Sequence, residues 1–232
     1  MVRVAVLISV LAVAAVAVAV ALAATRSPRA LRAAIFASAR KQHSAHYVEH
    51  GVAQGLHQTM VADVAATRGI QRVSFTLGGK KGQFTVRVVG RTAYLLGNTV
   101  ALDSFLGFTA AQAAQYHGRW ISVTPSSQMY KALAASVTLP SFLHDIYPSA
   151  PLAFVTAKIG GRKVTGVRGT TREPGVVRFV EAVYPDSKLR PFGVADIESS
   201  KAFIDEIRIS RWNEPVHVQA PANAVPIATV QA

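Results

Sequence analysis

From Ser44 to Asn98 apolar and polar residues alternate with a period of two. "IQRVSFTL" sends Val73, Phe75 and Leu77 to one side, "QFTVRVVG" does the same with Phe84, Val86 and Val88, and "TAYLLGN" closes the run with Tyr94 and Leu96. Two weaker alternators, "HYVEHGVAQG" and "QTMVADVAAT", precede them. β-Branched and aromatic residues in alternation, separated by glycine-rich joints, predict antiparallel strands. The joint "GGKKG", Gly78 to Gly82, has the glycines and lysines of a phosphate loop. However, it runs from strand to strand, and no Ser or Thr follows the lysines, so it reads as a hairpin turn with a solvated tip.

The middle of the chain changes period. Thr109 is an N-cap for "AAQAAQYH", with Gly118 as the stop. After a brief strand, "WISV", the stretch "SSQMYKALAASV" predicts a helix with Met129, Leu133 and Val137 on one face. "LPSFLHDIYPSAP" predicts a second, ended by Pro148. Alternation then resumes through "LAFVTAKIGGRKVTGVRGT", "GVVRFVEAVYP", "KLRPFGVADIES", "AFIDEIRISRW" and "PVHVQAP", with a turn signal every ten or so residues. Short helices set between two runs of strands make an α+β domain with its helices on one side of the sheet. Phe75, Phe84, Val86, Tyr94, Phe179 and Tyr184 are the inner-face residues this alternation selects.

The amino terminus is of another kind. Val4 to Ala24 is uncharged and apolar apart from Ser9, and long enough to cross a bilayer as a helix. It predicts a membrane anchor, with a cleaved signal peptide as the rival, since "ALAAT" offers small residues to a peptidase. "TRSPRALRAAIFASARKQ", residues 25–42, predicts a basic juxtamembrane or linker helix, capped by Ser27 with Pro28 at its first position. Arg26, Arg29 and Arg32 outnumber Arg3 across the apolar run, and by charge alone would keep the bulk of the chain inside.

The chain of 232 residues has 25 Lys and Arg against 12 Asp and Glu, a formal net charge of +13. Arg3, Arg26, Arg29, Arg32, Arg40 and Lys41 all precede the first acid, Glu49, and the remaining cations are scattered. Without a clustered stripe or a groove-reading helix, nucleic acid is not an expected partner. Cysteine is absent, which excludes disulfides, thiolate metal sites and a lipid-modified N-terminal cysteine. His43, His46 and His50 would share a face of a helix, but on a strand only His46 and His50 do, so no metal is expected. Ser126 and Ser127 lie at a helix start, where capping accounts for them, and Asp205 and Glu206 point to opposite faces of a strand. No nucleophile elbow or carboxylate pair is present, so the chain does not read as an enzyme, and no cofactor is expected.

"FIDEIRISRWNEPVHVQAPANAVPI", Phe203 to Ile227, resembles the closing strands of the actinobacterial lipoprotein family that includes LppX and LprG. "GRTAYLLGN" and "GRWISV" are similar to two further strands of that family, and the order of elements agrees over residues 43–227. The resemblance implies a curved antiparallel half β-barrel, related to the LolA and LolB carriers, with short helices covering its concave side. It implies an apolar cavity that holds the acyl chains of a lipid or glycolipid, without catalysis. The family's usual anchoring cysteine is missing here, and residues 4–24 take its place as the membrane contact. The expected domains are 1–24 (signal or anchor), 25–42 (basic linker), 43–227 (half-barrel) and 228–232 (tail). The expected location is the cell membrane with the domain outside, or secreted if residues 1–24 are removed. Candidate cavity residues are Phe75, Phe84, Val86, Tyr94, Leu96, Leu133, Phe142, Leu143, Phe154, Phe179 and Phe203. The competing class is a membrane-anchored interaction or sensor domain whose core is filled by its own side chains.

Overall fold

The computed structural model describes residues 27–53, 55–135, 137–159, 161–170, 179–198 and 203–230. The expected anchor, residues 4–24, lies outside them. Among the described residues no helix is long and apolar enough to cross a membrane.

The strands are β1 (Ser44–Ala53), β2 (Leu56–Ala65), β3 (Arg68–Leu77), β4 (Lys80–Val89), β5 (Thr92–Gly97), β6 (Ile121–Val123), β7 (Ser149–Ile159), β8 (Arg162–Thr170), β9 (Phe179–Pro185), β10 (Pro191–Glu198), β11 (Phe203–Ser210) and β12 (Val225–Pro226). They form one open 12-stranded sheet in the order β12-β6-β5-β4-β3-β2-β1-β11-β10-β9-β8-β7. Every pairing is antiparallel except that of β12 with β6. Two meanders, β1 to β6 and β7 to β11, meet where β11 returns beside β1. This is the α+β arrangement that the strand and helix order predicts, and the open half-barrel that the resemblance implies. The Gly78–Gly79 turn, both glycines at positive φ, joins β3 to β4 as expected.

Helices cover one face. They are α1 (Pro28–Ala39), α2 (Ala110–Tyr116), α3 (Met129–Ala134), α4 (Leu139–Asp145) and α5 (Ile227–Val230), with a π-helical turn at Ala101–Phe105. The Thr109 cap holds: its hydroxyl accepts from the Gln112 amide, and the Gln112 side chain accepts from the Thr109 amide, a reciprocal capping box. Thr138 and Ser141 do the same for α4. Between α3 and α4 the chain presses on the sheet at Gly69, where a Cβ would lie 1.8 Å from the Val137 carbonyl oxygen. Only glycine lets the cover sit that low.

Two expectations change. The segment read as a juxtamembrane linker is part of the domain. Ser27 caps α1 by accepting from the Ala30 amide at 3.1 Å, and Leu31, Ile35, Phe36 and Ala39 are buried. They pack against Val167, Val183, Val194 and Ile207 of the sheet. Arg32 is held too: it donates to the Pro148 carbonyl at 2.7 Å and lies over the Tyr147 ring. At the other end "PVHVQAP" is no strand. Residues 211–224 run from the end of β11 to β12, and Val218 packs down. The Val225 amide then donates to the Trp120 carbonyl, and Ile227 and Val230 enter the core, so the domain reaches beyond residue 227.

Candidate functional site

Strand register decides what faces the helices. Val167, Val183, Val194, Ile207, Glu49, Met60, Val73, Phe84 and Gly97 stand opposite one another from β8 across to β5, one row on one face. Its two halves pack into separate apolar clusters. One gathers α1 and α4 over β1, β2 and β8–β11. The other gathers the π-turn, α2, α3 and α5 over β3–β6. Met60, only partly buried, packs against both. Around it Leu56 and Gln58 of β2 and Glu49 of β1 are also only partly buried. Among the described residues, these four mark a stretch of the concave wall that neither cluster fully covers.

The expected cavity residues divide by location. Phe75, Phe84, Val86 and Leu133 lie together in the second cluster, with the Phe75 and Phe84 rings edge to face at 6.5 Å. Gly82 makes room for the Phe75 ring, since a Cβ there would sit 2.0 Å from its tip. Phe142 and Leu143 of α4 lie in the first cluster, where the Phe142 ring stacks on Tyr47 at 4.3 Å. Phe154, on the edge strand β7, is 42% exposed although it pairs with the buried Val167. For Phe179 and Phe203 the backbone alone is described.

Tyr94 and Leu96 face the other way. The two-residue turn at Gly90–Arg91 pairs Val89 with Thr92, which sets Val88 opposite Ala93 and Val86 opposite Leu95. Ala93 and Leu95 are therefore the inward residues, while Tyr94 and Leu96 sit on the convex face. Tyr184 is misplaced for the same reason: its neighbour Val183 points in, so Tyr184 points out and covers Gly166. Burial there raises the pKa of its phenol above the ordinary 10.0.

The concave wall also carries polar groups that the apolar pattern does not select. The Gln71 amide donates to the Tyr47 hydroxyl at 2.8 Å, and that hydroxyl contacts the Met60 sulfur at 3.7 Å. Gln58 donates to the Glu49 carboxylate at 3.0 Å. Both pairs lie on the row of Met60 or the rows beside it. Their signal was present in "QTMVADVAAT", whose period of two puts Gln58, Met60, Ala62 and Val64 on one side.

The other constellations do not converge. His46 bonds Asp63 at 2.8 Å and His50 bonds Thr59 at 3.2 Å, both on the convex side of β1. Among the described residues no group of three or more His, Cys, Asp or Glu could hold a metal ion. Ser126 shares a hydrogen bond with Thr124 in a loop, and Glu206 pairs with Arg208 at the surface.

No protein-family model and no curated protein matches the sequence. Solved structures do match the fold. LprF from Mycobacterium bovis aligns over 84% of this chain and 97% of its own, with a TM-score of 0.51 and 14% identity. Lipoprotein LppX from Mycobacterium tuberculosis aligns over 82% of this chain and 99% of its own, with a TM-score of 0.50 and 17% identity. Similarity in shape at such low identity reflects the sheet order and the helical cover. The chain has the fold of the mycobacterial lipoproteins LppX and LprF, the open half-barrel that its closing strands resemble in sequence.

Proposed function

We propose that the protein binds the acyl chains of a lipid or glycolipid along the concave wall of its half-barrel, as a non-catalytic carrier or holder in the cell envelope. The observation that carries this reading is the divided interior: two packed clusters, one on each half of the sheet, share among the described residues one partly exposed residue, Met60. A hydrocarbon chain laid between them covers Met60 and Leu56 and joins the two clusters. Each buried methylene contributes about 0.8 kcal/mol, so about a dozen give roughly 10 kcal/mol before the costs of association are subtracted. That suffices for capture without any specific polar contact. Residues 4–24 are assigned to hold the protein at the membrane, with the half-barrel on the outer side. This rests on their apolar sequence and on the likeness of the fold to envelope lipoproteins.

The test is extraction of the purified protein and mass spectrometry of what is released, for wild type and for Met60→Glu. Met60 is partly exposed, so the new carboxylate stays solvated and the circular dichroism spectrum is retained. The expected result is acyl-bearing lipid from wild type and a loss of at least tenfold from Met60→Glu. Wild type that yields no lipid, and takes up none from mixed micelles, refutes the reading.

A further inference from the structure

The convex face, away from the proposed lipid groove, carries a second cavity. The segment Glu214–Gln219 passes over β1–β4 and leaves beneath it a cleft of about 480 Å³, within the size range of small-molecule sites. Its charges are unevenly matched. Asp63 is already occupied, accepting from Arg211 at 2.9 Å and bonding His46 at 2.8 Å. Arg211 also lies 3.8 Å from Glu214. Arg72 and Arg87 line the same cleft from β3 and β4, and neither meets a carboxylate among the described residues. Arg72 stands opposite Thr85, two residues from Arg87 along the same face of β4, so the two arginines are diagonal neighbours on the convex face.

Arg87 is set in place rather than free in solvent. Its guanidinium lies over the Trp120 ring at 4.5 Å and donates at 3.4 Å to the Gln219 carbonyl of the overlying segment. Its Nε is buried and has no hydrogen-bond partner. A guanidinium oriented by an aromatic face and a backbone carbonyl has lost most of its rotamer freedom before any ligand arrives, which favours planar, two-point capture of an oxyanion. Two arginines that line one cleft and meet no carboxylate among the described residues are a different feature from the scattered surface lysines.

We propose that this cleft binds an organic phosphate monoester, with Arg72 and Arg87 holding the phosphate oxygens and the remaining space taking a body of about glycerol or sugar size. A soluble ester and a lipid headgroup both present the same dianionic group. The proposal stands independently of the lipid groove, whose residues face the other side of the sheet.

The experiment is calorimetric titration of the full chain in a non-ionic detergent at about 20 mM salt, with glycerol 3-phosphate in one arm and dihexanoyl phosphatidic acid in the other. Saturable binding of either probe is expected, weakened several-fold when salt is raised to about 200 mM. Arg72→Gln, at an exposed position that leaves folding intact, is expected to weaken it about tenfold, and Arg87→Gln at least as much. Binding of glycerol 3-phosphate identifies a soluble ester as sufficient. Binding of the phosphatidic acid alone identifies a lipid headgroup, provided Arg72→Gln weakens it about tenfold while Met60→Glu leaves it unchanged. No heat with either probe at 10 mM ligand, on the order of the weakest affinity such charge pairing gives, overturns the proposal. So does binding that both arginine variants retain in full.

Discussion

Replacing Phe36 by alanine tests whether α1 is core or tether. The ring has no exposed surface, sits among Ile35, Val183, Val194 and Ile207, and meets Tyr147 edge to face at 4.6 Å. Truncating a fully buried Phe removes its transfer free energy and leaves a cavity, together about 3–5 kcal/mol. The aromatic pair accounts for about 1 kcal/mol of that. Against a typical total of about 5–15 kcal/mol, the domain then keeps a fraction of its stability. At about 3 °C per kcal/mol for a domain of this size, thermal unfolding followed by circular dichroism is expected to fall by roughly 12 °C. Arg29→Ala, at an exposed position on the same helix, is the control and is expected to change stability by less than about 0.5 kcal/mol. If α1 were a solvated linker, the two substitutions would behave alike. A shift below about 3 °C for Phe36→Ala refutes the packing of this helix against the sheet.

Gly69→Ala forces a methyl group to within 1.8 Å of the Val137 carbonyl, and backbone cannot rotate away as a side chain can. A loss of about 1–3 kcal/mol is expected in urea unfolding, and an unchanged midpoint would mean that the α3–α4 connection does not rest there. Tyr184 gives a pH signature: its folded-state pKa lies above the unfolded 10.0, so the unfolded chain gives up the proton first. Stability from this group is complete below pH 10 and declines as pH rises from there through the folded value. Tyr184→Phe is expected to flatten that decline in alkaline denaturation, and an identical alkaline profile would show that burial of the phenol is not its cause.

How much of this was legible depends on which interaction fixed each element. The strands β3 and β4, the Gly78–Gly79 turn and the Thr109 cap follow from neighbours in sequence, and alternation or capping chemistry is enough to place them. Tyr94 and Leu96 were assigned inward because "TAYLLGN" shows apolar residues on both parities, and the larger ones fall on the wrong one. The length of the Gly90–Arg91 turn carried the answer, since it sets the register of the whole strand. Helix α1 looked like a linker because its apolar face, Leu31, Ile35 and Ala39, is narrow and flanked by arginines. Its burial depends on β8–β11, more than a hundred residues later, which no local pattern reports. The same holds for "PVHVQAP": it has the alternation of a strand but crosses the convex face of β1–β4 rather than pairing with a sheet edge. Of the wall itself, Phe75, Phe84, Val86 and Leu133 were visible as apolar positions. The division of the interior at Met60 was not, because it arises from where two sets of helices end in space. Val86 is fully enclosed by its cluster, so Val86→Asp disrupts folding, and Met60 is the residue that tests binding.

The path of the last residues has a consequence for synthesis. Val225 and Pro226 add a parallel strand to β6, Ile227 and Val230 complete the cluster beneath α2, and Gln112 donates to the Val230 carbonyl at 2.8 Å. The β3 to β6 half of the sheet therefore stays unfinished until the whole second meander and the segment after it have been made. A nascent chain must carry its open trough for as long as the second meander takes to emerge, at about 5–20 residues per second. Any partner that loads or guards the trough before closure meets the protein in that interval.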